Sequence, residues 1–446
     1  EKKKMRVCIK KYFALLVVGL IVLLGTGVVA YAGNFNWQRF AGQKIRIIAD
    51  RHPAADAIIP HIPEFEKLTG IKVEYEELPE IQARQKKVIE LASRSATLDA
   101  FVTAWHVEKK GFYDAGWVEP LNDYLKDPTL TPPDYDWEDF TEAVRNICTQ
   151  PDGTITFLMQ QIDPWILYYR KDIFQEKGIA IPQTLDEMEQ VAKKLNDPAN
   201  DFYGVVYRGL KYANTPVWCI LLFEYGGDFF DKNGYPAINS PAGVKALDWY
   251  ARMLRNYGPP GVTNFNWYEA SSTFMSGRAA MYFDGIGFAG QFENPKKSRV
   301  VGKTGYTLFP AGPAGRYAGT FGGGYSISRY SGKKKAAYLF ITWATNKENT
   351  LRVALNGVGT GRVSVLQNPD YVKKSPMPPD WRQTFIDALK IARLGLPEIA
   401  AVGEFRDLVG AALVKAIEGG DPKTLLDKAN EDFRQLLLRT EPDRYR

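Results

Sequence analysis

The sequence predicts an α/β protein of two lobes, and three observations carry that prediction. The chain has 446 residues, beyond the roughly 250–300 at which a single hydrophobic core stops growing. Hydrophobic residues make up 45% and charged residues 24%, a globular composition rather than a disordered one. From residue 44 onward, short β-branched stretches alternate with longer amphipathic ones. That is the pattern of a mostly parallel sheet with helices on both faces.

The elements follow in order. Residues 44–49 (KIRIIA) and 71–75 (IKVEY) have strand periodicity, and 98–103 form a short apolar strand. Residues 58–68 fit a helix with Ile58, Ile62, Phe65 and Leu68 on one face. Pro60 and Pro63 delay its start, and Gly70 supplies a left-handed cap. Residues 81–93 and 107–115 are helical, and 123–139 read as a surface loop rich in Pro and Asp. Residues 154–158 and 165–169 read as strands. Residues 185–195 form a helix with Thr184 as cap and Glu187 at the capping-box position. Helices at 241–255 and 269–277 and strands at 279–283 and 305–309 come next. The Gly/Pro-rich run 310–324 reads as a connector, 325–328 as a strand and 333–345 as a helix, with tail helices from Phe385, Phe405 and Thr424.

The net charge of +6 and a Lys+Arg count of 57 raise the question of an anionic partner. The excess sits at the front: Lys2, Lys3, Lys4, Arg6, Lys10 and Lys11 against Glu1 carry +5 of it. The remainder is nearly neutral, so no nucleic-acid partner is expected. The basic stretch precedes an uncharged apolar run and a small-residue site at Ala30-Tyr31-Ala32. Residues 1–32 therefore read as a signal peptide, with a retained membrane anchor as the competing reading. Either way the folded part is exported, to the periplasm or the outer face of the membrane. Cys8 precedes the apolar run, which excludes a lipoprotein cut site. Cys148 and Cys219 lie in apolar surroundings and read as buried free thiols rather than a disulfide. Three His residues leave little material for a metal site, and neither metal nor cofactor is expected.

Several segments recur in a recognisable order: Phe65-Glu66-Lys67-Leu68-Thr69-Gly70, Ala115-Gly116-Trp117-Val118-Glu119-Pro120-Leu121, Tyr168-Tyr169-Arg170-Lys171-Asp172, Gly226-Gly227-Asp228, and Phe274 with Gly277-Arg278-Ala279-Ala280-Met281. In order and spacing the chain resembles the extracellular solute-binding proteins of carbohydrate ABC transporters, the maltose-binding-protein-like group, from about Lys44 onward. The resemblance implies a type II periplasmic-binding-protein-like fold with an interlobe cleft and a hinge. It implies a first lobe of residues 44–160 and 319–362 and a second of 163–316 and 365–446. It also implies a monomer that captures a sugar, polyol or oligosaccharide and hands it to a membrane permease, with no catalysis. The alternatives are an extracytoplasmic glycan-processing enzyme and a binder of a non-carbohydrate solute such as a phosphorylated polyol.

A sugar site needs flat aromatic faces for C–H surfaces and polar groups to pair the hydroxyls. Asp163 and Trp165 sit where the chain crosses between lobes; a turn-forming Asp and a hinge-packing Trp are the alternatives. Asn214 and Trp218 occupy a second-lobe segment, read as a loop, where relatives place contacts; loop structure and core packing compete. Asp284 and Gly285 open a strand-to-helix turn in which Gly285, Gly287 and Gly290 spell GxGxxG. A dinucleotide site would need an acid about 20 residues on, and residues 299–308 contain none. Gly323 replaces an aromatic that many relatives carry, removing one stacking surface. Arg362 reads as a ligand-reaching Arg or a hinge salt bridge. Asp50, with Arg51 and His52, ends the first strand at the sheet edge where α/β ligands bind. Glu404 and Arg406 are weaker candidates.

Overall fold

The computed structural model describes residues 35–445. The signal-peptide or anchor reading of residues 1–32 and the reading of Cys8 lie outside them. Among the described residues nine strands form the framework: β1 Lys44–Asp50, β2 Lys72–Leu78, β3 Ala100–Ala104, β4 Leu158–Arg170, β5 Tyr203–Val206, β6 Ala279–Gly285, β7 Thr304–Thr307, β8 Ala318–Ile327 and β9 Ala392–Leu394. They run in the order β2-β1-β3-β8-β4-β6-β5, with β7 beside β4 and β9 beside β8. β1 is parallel to β2 and β3, and β5 to β6, while β3, β4 and β8 meet antiparallel. The sheet is mixed where a mostly parallel one was expected.

The helices that position the site are α1 Pro53–Ile58, α2 Ile62–Thr69, α3 Glu80–Ala92, α4 Trp105–Asp114, α5 Glu142–Cys148, α6 Leu185–Leu195, α7 Thr215–Glu224, α8 Pro241–Tyr257, α9 Trp267–Met275, α10 Val402–Ile417 and α11 Pro422–Thr440. The expected helix at 58–68 divides into α1 and α2 around a 3-10 turn at Ile59–His61, because Pro60 and Pro63 cannot sit inside a continuous helix. It stops at Gly70, in the left-handed region at φ 71°. Thr184 caps α6 by accepting from Glu187 N–H at 3.2 Å. Glu187 reaches one residue further back, accepting from Gln183 N–H at 2.6 Å, so the expected reciprocal box does not close.

Three further expectations are corrected. The segment 123–139 contains a helical turn at Asn122–Lys126 and a 3-10 turn at Trp137–Asp139. Residues 154–158 are not a separate strand; β4 begins at Leu158 and runs unbroken through 13 residues. The connector expected at 310–324 is mostly strand, because β8 starts at Ala318 and carries Gly322-Gly323-Gly324 through its middle. Glycine is required there by crowding: a Cβ on Gly324 would lie 2.6 Å from Leu158 O, and one on Gly322 would lie 2.8 Å from Trp105 Nε1.

β4 changes partners along its length. It pairs with β8 through Pro164 and with β6 and β7 from Trp165 onward. Pro has no N–H to give a ladder, and it stands at the changeover. β8 makes the complementary crossing, pairing β9 over Ala318–Thr320 and β3 over Gly323–Ile327. Cys148 and Cys219 are buried free thiols, each packed in a different hydrophobic cluster.

Candidate functional site

A narrow cavity of about 70 Å³ lies where these crossings meet the end of β1. Asp50 closes β1 and enters the wall; its Oδ1 is buried without a hydrogen-bond partner. Burial pushes its carboxyl up despite Lys87 nearby. His52 N-caps α1, its Nδ1 accepting from Ala54 N–H at 3.2 Å. In the neutral ring Nε2 then carries the proton, and it stands 3.6 Å from Asp163 Oδ2.

Asp163 is buried on β4, and the turn after β6 wraps around it. Its Oδ1 accepts from Gly287 N–H at 2.7 Å. A Cβ on Gly285 would come within 2.5 Å of Oδ2, so only glycine lets the turn close. The GxGxxG run thus cradles a carboxylate of its own chain. Gln161 turns its amide onto the Gly323 backbone, N to O at 3.2 Å and O to N–H at 3.1 Å.

Opposite stand two arginines. Arg208 forks onto Asp284, Nε to Oδ2 at 2.8 Å and Nη2 to Oδ1 at 2.6 Å, and lies 4.6 Å over the Trp165 ring. Arg406 donates from Nε to Tyr212 O at 3.0 Å and stacks 3.6 Å over the Tyr212 ring. Its Nη1 stands 3.6 Å from Glu80 Oε1 and has no hydrogen-bond partner. Burial lowers its guanidinium to about 9, so it stays charged at neutral pH. Burial alone would raise the Glu80 carboxyl, but Arg84, Arg406 and Arg208 outweigh it and hold it at about 2. Behind Glu80 the ion pairs continue through Arg84 and Glu108 to Lys87. Aromatic faces complete the cavity: Trp165 against Phe321 at 4.8 Å, and Trp267 stacked on Phe288 at 5.1 Å.

The structure brings Asp50, Arg51, His52, Asp163, Trp165, Gly323 and Arg406 together on this cavity. Asn214, Trp218, Asp284, Gly285, Arg362 and Glu404 lie off it. Asp284 is fully buried behind Arg208, and Gly285 packs against the Asp163 carboxylate. Asn214 donates to Gly209 O at 3.2 Å and Gly410 O at 3.1 Å, holding α10 against α7. Trp218 is a core residue of α7, which occupies the segment read as a loop. Arg362 is fully buried, bonded to Thr345 O, Asp136 O and Asp139 and stacked 4.0 Å over Phe140. That is the salt-bridge alternative. Glu80, Arg208, Trp267 and Phe321 were not singled out from the sequence. Glu80 and Arg208 each come within two residues of the C-terminal end of a parallel strand, β2 and β5. The edge argument applied to Asp50 finds them too.

The cavity joins carboxylates, guanidinium groups and flat rings at a crossing of two halves of the sheet. The family model for bacterial extracellular solute-binding proteins matches residues 49–351. The chain belongs to this family. A probable amino-acid ABC transporter periplasmic-binding protein of Sinorhizobium fredii is 29% identical over 356 residues, 76% of this chain and 77% of that protein. The erythritol/L-threitol-binding protein of Mycolicibacterium smegmatis is 29% identical over 345 residues, 73% and 71% of the two chains. Among solved structures, an ABC transporter solute-binding protein from Agrobacterium radiobacter in complex with ribitol superposes with a TM-score of 0.81. It is 26% identical, covering 89% of this chain and 99% of that one. The fold is thus that of the two-lobed solute-binding proteins, and the mixed sheet changing partners at Pro164 is its framework. Among the described residues no helix is long and apolar enough to cross a membrane, and no cluster of His, Cys, Asp and Glu is placed to hold a metal ion.

Proposed function

We propose that the protein is the exported binding subunit of an ABC importer, capturing a short neutral polyol or monosaccharide and presenting it to a membrane permease. Residues 44–160 with 319–362 and residues 163–316 with 365–446 form the lobes that close on it, the protein acting as a monomer outside the cytoplasm. The observation that carries this is the set of buried, unpaired polar atoms at the cavity. Asp50 Oδ1 lacks a donor and Arg406 Nη1 lacks an acceptor. Buried groups without partners cost free energy, and a hydroxyl, both donor and acceptor, can satisfy either kind.

Two further arguments set the class of ligand. The narrow cavity, about 70 Å³, suits a small solute rather than a long oligosaccharide. The charges favour a neutral solute over a phosphorylated one: Arg208 is committed to Asp284 and Arg406 faces Glu80, while Asp50 and Asp163 present carboxylates. The relatives named for tetritols and solved with ribitol point the same way.

Isothermal calorimetry of the purified chain against erythritol, threitol, ribitol, mannitol and amino acids tests the reading. Saturable heat with a polyol near micromolar Kd, about −8 kcal/mol, is expected. Heat with amino acids and none with any polyol or sugar would overturn it.

A further inference from the structure

Tyr212, just before α7, holds its backbone at φ 79°, in the left-handed region that a bulky side chain rarely adopts. It lies outside the lining of the narrow cavity, and its hydroxyl is buried without a hydrogen-bond partner. The ring is the part with partners. Arg406 lies 3.6 Å from its centroid and Arg84 5.1 Å, both within cation–π range. The two arginines come from different helices, Arg406 from α10 and Arg84 from α3. On the lobe division proposed above, Tyr212 and Arg406 belong to the second lobe and Arg84 to the first.

Each arginine is fixed on its own side. Arg84 donates from Nη2 to Glu80 and from Nε to Glu108, each at 3.2 Å. Arg406 is stitched to the Tyr212 segment. Its Nε donates to Tyr212 O, Thr215 Oγ1 donates to Arg406 O at 3.1 Å, and Asn214 donates to Gly410 O one turn on. A Cβ on Gly410 would stand 2.6 Å from Tyr212 N, so only glycine brings α10 this close. Tyr212 and Arg406 therefore move as one body, and the ring of that body meets Arg84 of the other. Glu80 Oε1 spans the same gap, 3.2 Å from Arg84 Nη2 and 3.6 Å from Arg406 Nη1. It offsets the repulsion between the two cations.

We propose that Tyr212 is a positioning residue acting across the cleft: its ring engages Arg84 of the opposite lobe, favouring the closed arrangement with or without solute, and fixes Arg406 in the cavity wall. A costly backbone conformation persists where the surrounding structure imposes it, and here it delivers the ring to Arg84. The proposal rests on the lobe division above and, for its effect on solute, on the polyol reading.

Tyr212→Leu removes the ring, whereas Tyr212→Phe keeps it and drops only the unpaired hydroxyl. On the full chain without solute, small-angle X-ray scattering should give Tyr212→Leu a larger radius of gyration than the parent, and Tyr212→Phe the parent's value. Equal radii in all three would overturn the proposal whether or not any polyol binds. Stopped-flow measurement with ribitol should show koff raised about ten-fold or more in Tyr212→Leu, with kon within about three-fold, and both unchanged in Tyr212→Phe. Arg84→Gln should raise koff in the same way, and the double variant should be no worse than either single one. A parent-like koff in Tyr212→Leu, or effects of the two substitutions that simply add, would also overturn the proposal. Should Tyr212→Leu not fold, Arg84→Gln carries both measurements with the same outcomes. Ribitol failing to bind the parent while the radii differ as expected would remove the polyol reading and leave this one standing.

Discussion

Asp163→Asn separates the proposed ligand role of this carboxylate from its structural one. In the folded protein Oδ1 accepts from Gly287 N–H at 2.7 Å, and Oδ2 is left with His52 at 3.6 Å and the cavity. Asn keeps an oxygen for Gly287, so the wrapped turn survives. What is lost is a charged acceptor for a ligand hydroxyl, a bond of about 1.5–3 kcal/mol. At about 1.4 kcal/mol per decade, that is a roughly ten- to hundred-fold weaker Kd for the best polyol by calorimetry, with the melting temperature within a degree or two. Asp163→Ala also strands the buried Gly287 N–H, costing about 1–3 kcal/mol of stability, so the melting temperature should fall as well. An Asn variant that binds as tightly as the parent would refute the reasoning. So would one that melts as low as the Ala variant.

Arg362→Ala should do the opposite: breaking its buried pair with Asp139 costs about 3–5 kcal/mol, seen in denaturant unfolding, while polyol Kd stays within two-fold. His106, held down to about 3 first by burial and then by Arg406 and Arg84, stays neutral when folded but takes a proton near 6.5 when unfolded. The unfolded state then binds more protons between these values, so stability falls as pH drops from about 6.5 toward 3. His106→Gln should flatten that part of a melting-temperature profile. Glu80, depressed to about 2, contributes stability that is present above about 4.5 and lost as pH falls toward 2. Glu80→Gln should remove this lower limb and leave Arg406 without its counter-charge. Gly322→Ala should cost several kcal/mol or prevent folding, since its Cβ would run into the Gln161 carbonyl and the Trp105 ring at φ 152°; chemical denaturation reads the loss.

Much of the fold was legible because amphipathic helices declare themselves. The periodic pattern of residues 185–195 gave α6 its full extent, and Gly70 ended α2. α7 was missed because every one of its residues is buried, which erases the period that marks a half-exposed helix. β8 was misread for a related reason: glycine signals a loop locally, whereas here neighbouring strands and the Phe157 and Trp105 rings leave no room for a side chain. At the site, Asp50 and Asp163 were legible from their places at a strand end and a crossing. Asp284 had the right chemistry in the right turn, but the burial of its partner Arg208, 76 residues away, decides its role. Arg406 shows the same limit. Nothing adjacent to it in sequence reveals that it packs on Tyr212 and faces Glu80 from the other end of the chain.

On the proposed closure of two lobes, Pro164 would be a joint that brings no N–H of its own to break. A backbone donor at a bending point would have to let go of its acceptor, at about 1 kcal/mol for each bond. The residue where β4 trades one set of neighbours for another has no donor to let go. Asp163 is directly beside it, so under the proposed function the carboxylate lining the cavity would ride on the peptide that flexes. Under that proposal capture and movement would act on the same link of the chain, and a solute that pulled on that carboxylate would pull on the joint itself.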